Sequence, residues 1–214
     1  MKRIIAISLL VMLSGVAFGQ NEGVRTYVSF GESVAKSKAA AKISMAGISA
    51  NENVIDDKQI ALKAAFGAQF SPAFRAEIFY QYRTEIEKSE LGGGVSSDIS
   101  AKMQDIGANV FYTFNPQNRV HVFVGAGLAA TRVHPEWEAN GVDLSGYLWG
   151  SKFFATPTGF IGVEFTDKNN LPVMDLSLFY SKTFINESFN IAGVNYKIKD
   201  ISSCGLAFNF RFHL

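Results

Sequence analysis

The chain has 214 residues, 48% of them hydrophobic, and it contains 19 phenylalanines. Its 20 basic and 19 acidic side chains leave a formal net charge of +1, which provides no electrostatic basis for binding nucleic acid. A single cysteine, Cys204, excludes a scaffold of intrachain disulfides. The length suits one domain, and so much apolar surface has to be covered either by a protein core or by lipid.

The first predicted element is a secretory signal peptide over residues 1–19. Lys2 and Arg3 form a basic start, residues 4–13 are apolar apart from Ser8, and small residues lie around the expected cleavage site at Gly19. A membrane-anchoring helix is the alternative, but this apolar run falls short of the roughly 20 residues that span a bilayer. We therefore expect cleavage after Gly19 and export of residues 20–214 as one domain.

Eight segments that alternate between apolar and polar residues follow the signal peptide. Alternation with period two is typical of β-strands with two unlike faces. The segments span residues 24–31, 59–70, 74–87, 105–114, 120–131, 156–165, 173–183 and 204–214. In the last segment, Phe208, Phe210 and Phe212 share one face, and the residues between them are small or polar. Pro157 cannot donate a ladder hydrogen bond, so the sixth strand is predicted to start near it or to bulge there.

The connections between these segments alternate in length. Residues 71–73, 115–119 and 166–170 are short and rich in turn formers. The intervening connections, residues 32–58, 88–104, 132–155 and 184–195, are longer. An even number of antiparallel strands with this alternation predicts an all-β, eight-stranded, up-and-down transmembrane barrel. The short turns and both termini would then lie in the periplasm and the long loops outside the cell.

The volumes of the two faces predict which one points outward. An eight-stranded barrel has an interior just wide enough for side chains to fill, so the bulky apolar face belongs outside, against lipid. The opposite face mixes small residues with charges of both signs, which suits a narrow, ion-paired lumen. The predicted lumen ion-pair network consists of Arg25, Lys63, Arg75, Glu77, Arg83, Glu85, Asp105, Glu164, Asp175 and Arg211.

The aromatic residues and both ends of the chain resemble the opacity-type, eight-stranded outer-membrane proteins. The resemblance rests on the signal peptide, on residues 63–70 with their proline-containing turn, and on the aromatic C-terminal strand. It implies that this strand is read by the barrel-assembly machinery during insertion. The lipid-facing residues of the strand are Leu206, Phe208, Phe210, Phe212 and Leu214. Leu214 departs from the pattern, because the family more often ends in Phe.

The residues that carry chemistry in other proteins do not form a reactive pattern here. His121, His134 and His213 are too scattered for a metal cluster. Outer-membrane lipid A deacylases carry a His-x-Ser dyad, and none of these histidines is followed by serine at that spacing. We therefore predict no catalytic residue, no metal, no cofactor and no enzymatic activity.

The sequence thus predicts a bacterial outer-membrane barrel with a plugged lumen. Its partners would be outer-membrane lipid, lipopolysaccharide and, through the loops, a host surface ligand, with no role for nucleic acid. The loops would serve adhesion, host contact or envelope structure, and Trp137, Tyr147 and Trp149 are candidate contact residues. The alternative is a small porin-like channel for ions or small solutes.

Overall fold

A computed structural model describes residues 24–45, 48–92, 95–139, 141–143, 145–147, 150–167, 171–191 and 194–214. The predicted signal peptide and Trp149 lie outside the described residues. The strands are β1 (Arg25–Met45), β2 (Ile48–Ser71), β3 (Phe74–Gly92), β4 (Val95–Thr113), β5 (Val120–Ala139), β6 (Val142–Asp143), β7 (Lys152–Thr166), β8 (Pro172–Thr183), β9 (Glu187–Ile191) and β10 (Val194–His213). One turn of 3-10 helix covers Ser145–Tyr147. In these parts of the chain, no helix is long and apolar enough to cross a membrane.

Eight of the strands close into a barrel. Their order is β1–β2–β3–β4–β5–β7–β8–β10, each neighbouring pair is antiparallel, and β10 pairs back onto β1. The paired residues that start at Tyr27 lead once around the wall and return to β1 at Ser37, ten residues farther along. With eight strands, a stagger of ten residues corresponds to a tilt of about 40°. The predicted all-β, up-and-down, eight-stranded barrel is confirmed.

The short connections are confirmed at one end of the barrel. Only two residues separate β2 from β3, and the Phe74 N–H donates to Ser71 Oγ at 3.1 Å. The turn between β4 and β5 begins at Asn115, which has a φ of 50°. A positive φ is uncommon outside glycine, and asparagine is among the residues that tolerate it best. The start of β1 and the end of β10 lie at this same end, where the Leu214 N–H donates to Thr26 O at 3.0 Å.

The long connections at the opposite end differ from the prediction. β1 continues to Met45 and β2 begins at Ile48, so most of the predicted first loop is a two-stranded ribbon that extends the barrel wall. β3 and β4 likewise continue to Gly92 and from Val95. The sequence of these extensions lacks the strong apolar alternation that predicts a strand with two unlike faces.

The expected start of the sixth barrel strand is also wrong. β7 begins at Lys152, five residues before Pro157, and Pro157 pairs with Leu128 on β5. The pairing of β7 with β8 starts at Thr158 opposite Ser181, directly after the proline. Pro157, which cannot donate a backbone hydrogen bond, therefore lies just beyond the last residue of β7 that pairs with β8.

The two faces of the wall have opposite chemistry. Exposed apolar side chains cover the outside from the short turns up to Val34, Ile60, Tyr82, Leu128 and Tyr180. The alternate residues point into the lumen, where Tyr27, Phe123 and Met103 are at most 1% exposed. The predicted assignment of the bulky apolar face to the exterior is confirmed.

Candidate functional site: the lumen and its outer rim

A cluster of four charged side chains crosses the lumen near the end with the short turns. Arg75 on β3 reaches Glu164 on β7, with 2.5 Å between Nη1 and Oε2. Arg211 on β10 contacts the same Glu164 oxygen at 3.3 Å and also pairs with Asp175 on β8. All four residues are at most 5% exposed. We call this set the charged layer, and it links strands on different sides of the barrel.

Hydrogen bonds and aromatic rings surround the charged layer. Lys63 Nζ lies 2.9 Å from Glu77 Oε1, which also accepts a hydrogen bond of 2.9 Å from Asn109 Nδ2. The Arg75 guanidinium lies 4.4 Å from the ring centre of Phe111 and 4.9 Å from that of Phe123. Aromatic faces attract such a cation. Arg75 is thus held by one carboxylate and two rings.

A second polar group lies higher in the lumen and is built mainly from hydroxyls. Arg83 Nε donates to Asp105 Oδ2 at 2.7 Å, and Thr131 Oγ1 donates to Asp105 Oδ1 at 2.6 Å. Thr131, Thr156 and Thr183 then form a chain, with hydroxyl oxygens 2.5 Å and 2.9 Å apart. The chain joins β5, β7 and β8 on the inner wall.

An apolar cluster fills the lumen toward the outer end. We call it the apolar layer, and its members are Ala39, Ile86, Ala101, Met103, Val133, Ile185 and Ile201. Each is at most 4% exposed, and Phe154 and Ile198 pack against the group. Sequence reasoning missed this layer, because most of its residues fall in the predicted long connections. A weak signal for this layer was available in Met103 and Ile201, two apolar residues that lie two and three positions before predicted strands.

A small cavity of about 40 Å³ lies between the layers. Its lining combines Lys63, Asp105 and Asp175 with the rings of Phe111 and Phe160. One water needs roughly 10–15 Å³ of such a volume, so the cavity has room for a few waters.

Two of the ten predicted network residues lie elsewhere. Arg25 is exposed at the short-turn end of β1. Glu85 lies within an irregularity of the β3–β4 register between Arg83 and Ile86. Because of this irregularity, Ile86 and not Glu85 points into the lumen. Glu85 instead accepts a hydrogen bond of 2.5 Å from Ser100 on the outer rim. The other eight predicted residues point into the lumen and take part in the contacts described above.

Glycines make room for the bulky lumen side chains at two positions on β5. A Cβ added at Gly125 would overlap the Phe111 ring, and one at Gly127 would overlap the Asn109 side chain. The glycine-rich stretch therefore serves packing within a continuous strand. It does not open a helix, as a nucleotide-binding loop requires.

The lipid-facing surface carries one charge that sequence reasoning missed. Glu32 is exposed on the outer face of β1, because β1 continues past the predicted end of the first strand. On the C-terminal strand, the predicted lipid-facing residues do point outward: Leu206, Phe210, Phe212 and Leu214 are 52%, 47%, 58% and 75% exposed, and Phe208 contacts Phe210 edge to face, with ring centres 4.6 Å apart.

The outer rim holds the candidate loop residues. The backbone of Trp137 lies in β5 and that of Tyr147 in the 3-10 turn, while Trp149 lies outside the described residues. Asp143 precedes this turn and accepts a hydrogen bond of 2.8 Å from the Ser145 N–H. The side-chain and backbone hydrogen bonds from Ser145 hold the pKa of the Asp143 carboxyl below its usual value.

The three histidines occupy separate places. His121 Nδ1 lies 3.0 Å from Asn115 O, and His213 Nε2 lies 2.8 Å from Pro172 O. His134 is on the outer rim, 3.7 Å from Glu136. Within the described part of the chain, no group of three or more His, Cys, Asp or Glu side chains is arranged to hold a metal ion.

Comparison with known proteins identifies the fold and no closer relationship. No protein-family model matches the chain, and no curated protein matches it in sequence. Among solved structures, the outer membrane protein OprG from Pseudomonas aeruginosa has a TM-score of 0.55 at 14% identity, with 89% of this chain and 96% of that chain covered.

Two further solved structures are similar to this chain at lower TM-scores. Neisserial surface protein A is 20% identical, with a TM-score of 0.45 over 89% of this chain and 100% of that chain. Ail, the attachment invasion locus protein of Yersinia pestis, is 12% identical, with a TM-score of 0.41 over 87% of this chain and 98% of that chain. Of these three structures, only OprG has a TM-score above 0.5, and the predicted resemblance to eight-stranded outer-membrane barrels holds at the level of the fold.

Proposed function

We propose that this chain is an integral protein of the bacterial outer membrane, exported through a signal peptide cleaved after Gly19. The observation that carries this proposal is the apolar band around the barrel. Between the short turns and the level of Lys36 and Lys182, every outward side chain on the described strands is apolar or uncharged, except Glu32. At about 2.5 Å of height per residue on tilted strands, the band is about 25 Å tall, which matches the lipid-facing band of such barrels.

A pair of arginine substitutions at different depths tests membrane insertion. Leu178 is 55% exposed in the middle of the band, and Phe153 is 66% exposed at its outer edge. We expect Leu178→Arg to cost about 2–4 kcal/mol of folding free energy in lipid vesicles and Phe153→Arg about 0–1 kcal/mol, because the penalty falls toward the interface. Equal effects in urea titrations would contradict insertion at this depth.

We propose further that the lumen is plugged. The charged layer, the Arg83–Asp105 pair with its threonine chain, and the apolar layer lie one above another along the barrel axis. Support comes from the low exposure of these residues and from the size of the cavity between them. Proteoliposomes should therefore swell no faster in isotonic arabinose than protein-free liposomes, and swelling at the rate of a porin control would contradict the plug.

The outer ribbons would then carry the biological role, which we assign to adhesion, host contact or envelope structure. A contact surface fits their position, because β1 to β5 and β10 are 19–24 residues long and a membrane-spanning strand needs about 9–11. The candidate partners are lipopolysaccharide around the barrel and a host surface ligand at the ribbons, with the barrel-assembly machinery acting during insertion.

Ribbon exchange tests this role. We propose replacing residues 40–53 with an Asn-Gly turn and, as a matched control, replacing residues 89–98 in the same way. A contact role is supported if one replacement abolishes bacterial attachment to epithelial cell monolayers and leaves heat-modifiable mobility on gels, which reports barrel folding, unchanged. Unchanged attachment from both replacements and from a deletion strain would contradict adhesion.

A small channel is the second candidate function. The polar lining of the 40 Å³ cavity favours it, because Lys63, Asp105 and Asp175 offer charges to passing ions.

The absence of a His-x-Ser pattern in the sequence leaves the prediction of no enzymatic activity unchanged.

A further inference from the structure

Glu32 occupies a costly position. It is exposed on the outer face of β1, opposite Leu62 on β2 and Phe208 on β10, and it is the one charged side chain in the apolar band of the described strands. None of the described residues forms a hydrogen bond or ion pair with its carboxylate. A charged group facing lipid is penalised, less for Glu than for Arg, and such a residue commonly marks a functional contact.

A hydrogen-bond donor lies at the same depth two strands away. Counted along the tilted strands, Glu32 lies about 12 Å above the level of Tyr27, and Tyr80 on β3 about 14 Å above it. Tyr80 is 49% exposed, and its hydroxyl has no partner among the described residues. Within one barrel, β2 separates the two side chains, so Tyr80 does not reach Glu32.

The surface between them includes small residues beside the bulkier Leu62 and Phe66 of β2. Ala64 and Ala68 on β2 and Ala76 on β3 point outward at and below this depth. Small side chains let two membrane-spanning surfaces approach closely. On the other side of Glu32, β10 presents the bulky rings of Phe208 and Phe210. The β2 side is therefore better suited to direct protein contact.

We propose that the outer face of β2 is a dimerisation surface for a second copy of this chain. Both copies insert into the membrane in the same direction, so a symmetric dimer has its two-fold axis along the membrane normal. With this axis near Ala64, Glu32 of each copy faces Tyr80 of the other at matching depth. Each Tyr80 hydroxyl donates a hydrogen bond to the opposite Glu32 carboxylate. The inference rests on the membrane insertion proposed above.

Cysteine cross-linking in outer-membrane vesicles tests the position of this surface. In a Cys204→Ser background, Ala64→Cys should yield a cross-linked dimer on oxidation. Ala126→Cys, which is exposed on β5 on the opposite side of the barrel, is the matched control and should yield none. Heat-modifiable mobility reports insertion separately, so failure to insert is distinguished from failure to dimerise.

Substitution of the two polar groups tests the cause of dimerisation. In the Ala64→Cys protein, Glu32→Leu and Tyr80→Phe should each lower the rate of cross-linking about tenfold, because each removes both symmetric hydrogen bonds. The double variant should lose little more, and Glu32→Gln should retain part of the rate because its amide oxygen still accepts. Three results would overturn the proposal. The first is cross-linking of Ala64→Cys that is unaffected by these changes, and the second is equal cross-linking of Ala126→Cys. The third result is a dimer that forms through Cys204 on β10 in protein that keeps this cysteine and has no Ala64→Cys change.

Discussion

The two ends of the lumen are lined by opposite chemistry. Near the short turns, the charged layer holds Arg75, Glu164, Asp175 and Arg211 in direct contact. Near the outer rim, the apolar layer packs Ile86, Met103 and their neighbours without charges. The interior of a narrow barrel can therefore be filled in two ways. Ion pairs bind specific strands to one another, whereas apolar packing depends only on filled volume.

The largest effect should come from breaking the charged layer. Glu164→Ala leaves Arg75 and Arg211 facing each other without the carboxylate that both contact. Removal of one partner of a buried ion pair typically costs about 3–5 kcal/mol. Urea unfolding of the vesicle-inserted protein should show a loss of this size.

An exposed ion pair provides the control for that change. Lys152 and Glu187 lie 2.8 Å apart on the outer rim, with side chains 47% and 24% exposed. Glu187→Ala should cost less than about 1 kcal/mol, because water replaces the lost partner. If the two variants unfold at the same urea concentration, the charged layer is no more important than a surface pair.

A smaller effect is expected from the apolar layer. Ile86 is fully buried in it, so Ile86→Ala should cost about 2–4 kcal/mol through lost contacts and a residual cavity. Ile106→Ala is the matched control, because Ile106 is 51% exposed to lipid, which refills the space. The same loss of unfolding free energy at both sites would show that the outer end of the lumen is not tightly packed.

The smallest effect should come from the threonine chain between the layers. Thr131→Val keeps the shape of the side chain but removes the donor to Asp105 and the contact with Thr156. We expect a loss of about 1–2 kcal/mol, because Asp105 Oδ1 loses a buried donor while Asp105 Oδ2 keeps Arg83. Thr156→Val, which leaves the Thr131–Asp105 bond intact, should cost less, and the reverse order would contradict the assigned chain.

The sequence predicted the membrane-spanning half of each strand well, because lipid and lumen demand opposite residues at alternate positions. Phe208 and Arg211 show this directly. The prediction of strand ends failed above the apolar band, where alternate positions no longer have to differ in polarity. Above the apolar band, Lys36 is exposed on the outer face and Ser37 is buried on the inner face, so two polar residues alternate and the continuation of β1 left no readable pattern. The predictions for Glu85 and Pro157 failed for another reason, since both depend on the neighbouring strand: a register shift against β4 displaces Glu85, and pairing with β5 carries β7 past Pro157.

The candidate site was predictable in composition but not in arrangement. Charges of both signs on the inner face indicated ion pairs, yet only the stagger of ten residues brings Arg75 on β3 to Glu164 on β7. Glu32 was missed because the first strand was assigned an end at residue 31. The apolar layer was missed because its members come from the ends of several strands, which no single stretch of sequence reveals.

Single-channel recording of the purified, folded wild-type protein in a planar bilayer tests the central claim most directly. With the charged and apolar layers both in place, the account predicts a flat baseline without discrete current steps at any applied voltage that the bilayer withstands. Discrete and reproducible steps from correctly folded protein would contradict a plugged lumen and favour the small channel.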